Sequence, residues 1–175
     1  QFAEWWQHQL QFTTYRDDLR DLDQPNPGAA ETQVESRIVN EHFGGEWRHD
    51  LSFSDWAGIA TGFEIKSQQG DIGGYDKSAV TWAWYTSPHV TLWDRLTLSG
   101  ATRLFRHNAF GRDMIFELSS AYLITPTGPK VRAGFAQSFH APSLNYLYYP
   151  DFGNPNLLAE DGETVELGVD QEWLD

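Results

Sequence analysis

Over long stretches of this chain, apolar and polar residues change places at every second position, and helical periodicity is nearly absent. From Arg95 to Phe105, Leu96, Leu98, Gly100, Thr102 and Leu104 fall on one face, and Arg95, Thr97, Ser99, Ala101 and Arg103 on the other. From Lys130, the residues Val131, Ala133 and Phe135 alternate with Lys130, Arg132, Gly134 and Ala136. Met114, Phe116, Leu118 and Tyr122 oppose Asp113, Glu117 and Ser119; Val165, Leu167, Val169 and Trp173 oppose Glu166, Asp170 and Glu172. In the first half, Trp6, His8, Leu10 and Phe12 alternate with glutamines, Ala57, Ile59, Thr61, Phe63 and Ile65 face away from Glu64 and Lys66, and Val80, Trp82 and Trp84 oppose Ala79, Thr81 and Ala83. The segment Glu35–Arg48 carries the weakest pattern. Successive side chains of a strand point to opposite faces, so the pattern predicts an all-β chain.

About eight such segments of ten or more residues are expected, against a globular norm of roughly five or six. A strand crossing a bilayer at a tilt needs ~9–11 residues. Connections alternate in length as well. Those near Leu51–Asp55, Ser87–Asp94 and Thr125–Pro129 read as tight turns, and those at Asp17–Gln33, Gln68–Asp76 and His140–Asp161 as long loops, with His107–Arg112 intermediate. Short turns on the periplasmic side and long loops outside are the layout of outer-membrane barrels. The expected fold is an antiparallel up-and-down transmembrane β-barrel, present in part. Trp5, Trp6, Trp47, Trp56, Trp93, Tyr122 and Trp173 fall where an interfacial aromatic girdle belongs. A soluble β-sandwich also alternates and stands as a competing reading; it would press Leu96, Leu98, Phe116, Val131 and Leu167 between two sheets.

The mean hydropathy of -0.53 does not argue against a membrane, because lumen-facing residues offset lipid-facing ones. With 25 Asp+Glu against 12 Lys+Arg, the formal charge of -13 makes a nucleic-acid partner untenable. Absence of cysteine removes disulfides and thiolate metal sites. The six histidines show no ligand spacing, so neither a metal nor a cofactor is expected. The run Asp17, Asp18, Asp21, Asp23 lacks an EF-hand arrangement and reads as solvated loop charge; Gly70 to Asp76 is a single faint calcium-repeat copy. No nucleophile-elbow, zincin or P-loop motif occurs, and no enzyme is expected. Arg95, Arg103, Lys130, Arg132, Glu64, Lys66, Glu117, Glu166 and Asp170 should face the interior and pair there, since unpaired buried charge is costly.

Three motifs sharpen the reading. Phe139-His140-Ala141-Pro142-Ser143-Leu144 is followed by Leu147-Tyr148-Tyr149-Pro150, Gly153-Asn154-Pro155-Asn156-Leu157 and Glu163, Glu166-Leu167-Gly168. Trp93-Asp94-Arg95-Leu96-Thr97-Leu98 leads into Gly100 and Arg103, and Phe110-Gly111 precedes the strand from Asp113 and then Arg132-Ala133-Gly134-Phe135-Ala136-Gln137-Ser138. In this order they resemble the C-terminal barrel of TonB-dependent outer-membrane receptors, over most of residues 78–173. Residues 1–75 fit by pattern alone.

The resemblance implies a segment of an outer-membrane active transporter of a Gram-negative bacterium, importing a bulky nutrient such as a ferric siderophore or cobalamin. Its implied partners are outer-membrane lipid, a small-molecule ligand such as a metal chelate, and TonB through a plug domain. Residues 1–175 are expected to be part of the barrel domain, with the plug absent. The chain reads as a fragment, about a third of a plugged barrel of ~22 strands. Pro142 and Pro155 fix φ, and Gly153 with the asparagines permits tight turns, so the long loop should be folded. Tyr146, Tyr148, Tyr149 and Asp151 are its ligand-contact candidates. The competing functional reading is a small passive or structural barrel, a pore or adhesion scaffold closed on its own eight strands.

Overall fold

A computed structural model describes residues 3–23, 34–72, 75–125, 128–149 and 151–171. They form one antiparallel sheet with its strands in chain order: β1 (Trp6–Asp23), β2 (Val34–Ser54), β3 (Ala57–Ile72), β4 (Tyr75–Leu92), β5 (Leu96–His107), β6 (Gly111–Leu123), β7 (Lys130–His140) and β8 (Glu160–Asp170). A helical turn, α1 (Leu144–Tyr148), interrupts the connection from β7 to β8. β1 and β8 are the two edges of the sheet. The expected up-and-down architecture is present as an open wall, so these eight strands do not close into a small barrel of their own.

Cross-strand register converts the sequence alternation into two faces. The row Leu10–Trp47–Phe63–Trp84–Leu104–Met114 crosses six strands on the outer face. Its members are 44% to 62% exposed. Leu98, Phe116, Val131 and Leu167 share that face and are exposed too. Among the described residues no second sheet covers them, which excludes the sandwich. Large apolar side chains left bare along a paired sheet require an apolar solvent. The neighbouring row, Gln11–Glu46–Glu64–Ala83–Phe105–Asp113, faces inward and is mainly polar.

The apolar band crosses the rows obliquely. On the outer face it reaches Phe43 in β2, Ile65 in β3, Leu104 in β5 and Met114 in β6, stepping from row to row. Tilted strands produce that slant. The 12 residues of β5, at ~3.3 Å each and a tilt of ~40°, span roughly 30 Å of height, close to one bilayer. The 21 residues of β2 reach roughly 50 Å on the same reckoning and must rise well beyond it.

Several boundaries differ from those the sequence suggested. The stretch Ser87–Leu92 belongs to β4, and the turn is confined to Trp93–Arg95, where Trp93 and Asp94 adopt left-handed φ of 54° and 55°. Proline is normally excluded from central strands. Here the β4–β5 ladder skips Ser87 and Pro88 and resumes at His89↔Ser99 in the register of Thr86↔Thr102. The supposed loop Gln68–Asp76 is strand on both sides, paired out to Ile72↔Tyr75; Gly73 and Gly74 lie outside the described residues. Likewise β1 continues to Asp23, so Asp17 and Asp18 are strand residues. Residues 24–33 and Trp173 lie outside the described residues. Trp5, Trp56, Trp93 and Tyr122 do cluster at the periplasmic ends, whereas Trp47 sits mid-strand in β2.

Buried apolar side chains among the described residues are few: Ala83, Phe105, Leu144 and Leu147. Ala83 and Phe105 pair directly on the inner face of β4 and β5, and both leucines belong to α1. The β6–β7 ladder runs only from Leu123↔Lys130 to Glu117↔Ala136. Beyond that split, Phe139 packs on Phe105 with ring centroids 4.6 Å apart.

Candidate functional site

Of the charges expected to pair on the inner wall, Glu64, Lys66, Arg103, Lys130, Arg132 and Asp170 do so, whereas among the described residues Arg95, in the β4–β5 turn, and Glu117 and Glu166 form no ion pair. Glu64 on β3 accepts from Arg103 on β5 at 2.7 Å and from Lys66 at 3.1 Å. Asp170 holds both Lys130 at 3.1 Å and Arg132 at 3.0 Å. Beside the Glu64 pair, Tyr85 reaches from β4 across β3, and its hydroxyl donates to Glu46 on β2. Gly62, paired directly with Tyr85, leaves the room: a Cβ there would stand 2.5 Å from the tyrosine oxygen and 2.8 Å from the Trp47 carbonyl. Alongside these cross-strand pairs the inner surface is grooved. One groove, about 450 Å³, runs along Gln11, His42, Glu46, Glu64, Lys66 and Thr81.

At the extracellular end the β7–β8 connection folds inward over that wall. Pro142 precedes the helical turn, and the Ser143 hydroxyl caps it by accepting from the Tyr146 N–H at 3.3 Å. Leu144 and Leu147, one turn apart, are the buried anchors at 5% and 3% exposure. Full burial of a leucine contributes ~1.5–3 kcal/mol. Leu144 lies over Gly70 of β3, whose absent Cβ would sit 3.4 Å from Leu144 Cδ1. A cavity of about 250 Å³ remains beneath the turn, lined by Gln68, Ser78, His107, His140, Pro142 and Tyr148. His107 is the last residue of β5, beyond the apolar band, and burial holds its imidazole below the ordinary histidine value.

The four candidates from the sequence occupy this inward fold in different ways. Tyr146 is 69% exposed and projects from the face of α1 opposite the anchors. Tyr148 is half-buried, with Lys77 Nζ 5.1 Å from its ring centroid. Tyr149 closes the turn, its carbonyl accepting from the Phe152 and Gly153 N–H groups at 3.3 and 2.7 Å. Asp151 is exposed, with a left-handed φ of 66°. Phe152, 86% exposed and 6.3 Å from the Tyr149 ring, was not singled out from the sequence, nor were Leu144 and Leu147 as anchors. Their signal was present: proline, a capping serine, then apolar residues three apart. Among the described residues no group of three or more His, Asp or Glu side chains is placed to hold a metal ion.

The whole chain, residues 1–175, matches the model of the TonB dependent receptor-like, beta-barrel family. The chain belongs to that family, whose barrels sit in the Gram-negative outer membrane. It is 29% identical over 139 residues to the vitamin B12 transporter BtuB of Photobacterium profundum, covering 77% of this chain and 22% of that protein. A BtuB of Vibrio cholerae is 29% identical over 75 residues, 43% of this chain and 12% of its own length. Among solved structures, the fold matches a ferric enterobactin receptor mutant (PfeA) from Pseudomonas aeruginosa with a TM-score of 0.76 at 17% identity, over 94% of this chain and 29% of that one. It matches the siderophore receptor PirA from Pseudomonas aeruginosa with a TM-score of 0.70 at 18% identity, over 95% and 37%. The chain therefore spans about a fifth of the first curated relative and about a third of these structures.

Proposed function

We propose that the protein carrying this chain binds a bulky nutrient at its extracellular mouth and imports it across the outer membrane. The class of ligand, cobalamin or a ferric siderophore, comes from relatives whose names state those cargoes. The observation that carries the reading is the inward β7–β8 fold, which pins itself to the wall by Leu144 and Leu147 and turns Tyr146 and Phe152 outward from it. Exposed aromatics on a pre-organised loop supply contact area at low entropic cost. Tyr146 is the primary contact, with Tyr149 and Asp151 setting the turn beside it and Tyr148 held toward Lys77. Energisation through TonB, acting on a plug domain elsewhere in the full protein, is the expected coupling; no bond is made or broken.

The test uses the full-length protein with cyanocobalamin and ferric enterobactin as probes. One of them should bind, and replacing both Tyr146 and Phe152 by alanine should weaken it at least tenfold. Uptake into cells should stop when a protonophore collapses the inner-membrane gradient. Uptake that continues unchanged favours a passive pore.

A further inference from the structure

Arg106 on β5 and Arg112 on β6 stand directly opposite each other on the outer face, one pair short of the end of their hairpin. Both are exposed. Like charges opposed across strands repel and destabilise a pair, so such a site asks for an anion. No described residue supplies one. The nearest carboxylate in sequence, Asp113, lies on the inner-facing register and has its Oδ1 occupied by the Met114 N–H at 2.7 Å. Among the described residues neither guanidinium is ion-paired, whereas the other outward arginines on extracellular strand ends are: Arg16 with Glu41 at 3.1 Å, and Arg37 and Arg20 with Asp18. In a chain of net charge -13, two adjacent unpaired cations are against the trend.

What lies below them narrows the anion. Trp82 pairs with Arg106, and Trp84, Leu104 and Met114 form the next row toward the membrane centre, with Phe63 beside them. Together these side chains border an open, outward shelf of about 640 Å³ whose upper edge is the two arginines. β5 spans roughly one bilayer, which sets its terminal hairpin at headgroup level. The shelf therefore offers hydrocarbon contact below and two bidentate phosphate donors above.

We propose that this shelf is a binding site for one phosphorylated, multiply acylated lipid of the outer leaflet. Its acyl chains lie against Trp82, Trp84, Leu104 and Met114, and its phosphate bridges Arg106 and Arg112. The site is independent of the transport reading, since it faces away from the lumen.

The full-length protein in detergent, freed of native lipid, is titrated with lipid A bearing both phosphates and with the same lipid dephosphorylated, and retained lipid is counted by native mass spectrometry. Wild type should retain at least one phosphorylated lipid A and bind the dephosphorylated form at least tenfold less. The Arg106→Gln/Arg112→Gln variant should lose the phosphorylated lipid to the same extent, Arg106→Lys/Arg112→Lys should recover part of it, and Arg16→Gln should leave it unchanged. Equal retention of the two lipids by wild type overturns the proposal without any variant, as does undiminished retention by the double glutamine variant. Inorganic phosphate competing as well as lipid A would mean an anion site with no acyl recognition, and would equally overturn it.

Discussion

The β1–β2 ribbon and the β7–β8 connection both carry chain past the membrane on the same side, and they are held by opposite means. β1 and β2 stay paired residue for residue from Trp6↔Leu51 to Asp23↔Val34, with Arg16, Asp18, Arg37 and Glu41 linked across the exposed surface. β7 and β8 stop pairing at His140↔Glu160, and the chain then turns inward to bury two leucines. A ladder draws on backbone hydrogen bonds that any side chain but proline leaves intact. A docked loop depends on a few particular side chains. The first should tolerate substitution widely and the second should not.

That contrast can be broken most directly at Leu147. Replacing it by aspartate places an unpaired charge in the buried anchor site and should release the loop altogether; amide exchange over 142–157 should rise more than tenfold while β1–β2 is unchanged. Leu147→Ala should weaken docking by about 2–3 kcal/mol, in the range of large-to-small substitutions, read by the rate of proteolysis within the loop. Ser143→Ala removes the cap of α1 and should cost ~1 kcal/mol by the same assay. Acid gives a smaller, graded version. His107 sits under the loop with its proton affinity lowered by burial, so docking is at full strength above the unfolded histidine value, ~6.5, and weakens as pH falls through it toward the folded value. Loop protection should therefore decline between neutral and mildly acid pH, and His107→Gln should flatten that decline. The least effect is expected in the ribbon. Arg37 holds the Asp18 carboxyl below its usual range, so the pair contributes above the unfolded aspartate value and is lost as pH drops through the folded one. Both groups are exposed, and solvent screening leaves little at stake; Arg37→Ala should not measurably change exchange in β1 or β2.

The alternation of residues such as Leu96 to Leu104 was enough to read strand number, topology and the direction each face points, because side-chain period is a local property of extended chain. The inner ion pairs of Glu64 with Arg103 and of Asp170 with Arg132 were foreseen on the same ground. Loop lengths were read less well. Gly70, Gly73 and Gly74 look like punctuation in sequence, and yet Gly70 is a strand residue whose missing side chain makes space for Leu144. That function depends on a partner more than seventy positions away and leaves no local mark. Tyr85 lying over Gly62 escaped notice for the same reason, and so did Arg106 facing Arg112, whose adjacency exists only through register.

The skipped pairing beside Pro88 has its own consequence. A wall in hydrocarbon is a mesh of amide links, and one stitch is missing where β4 meets β5, between Thr86↔Thr102 and His89↔Ser99. Register survives the gap, so shape is kept while local cohesion is lowered. Should the wall breathe, that seam is where water would thread between β4 and β5, and deuterium would record it there ahead of the gap-free β1–β2 and β3–β4 ladders.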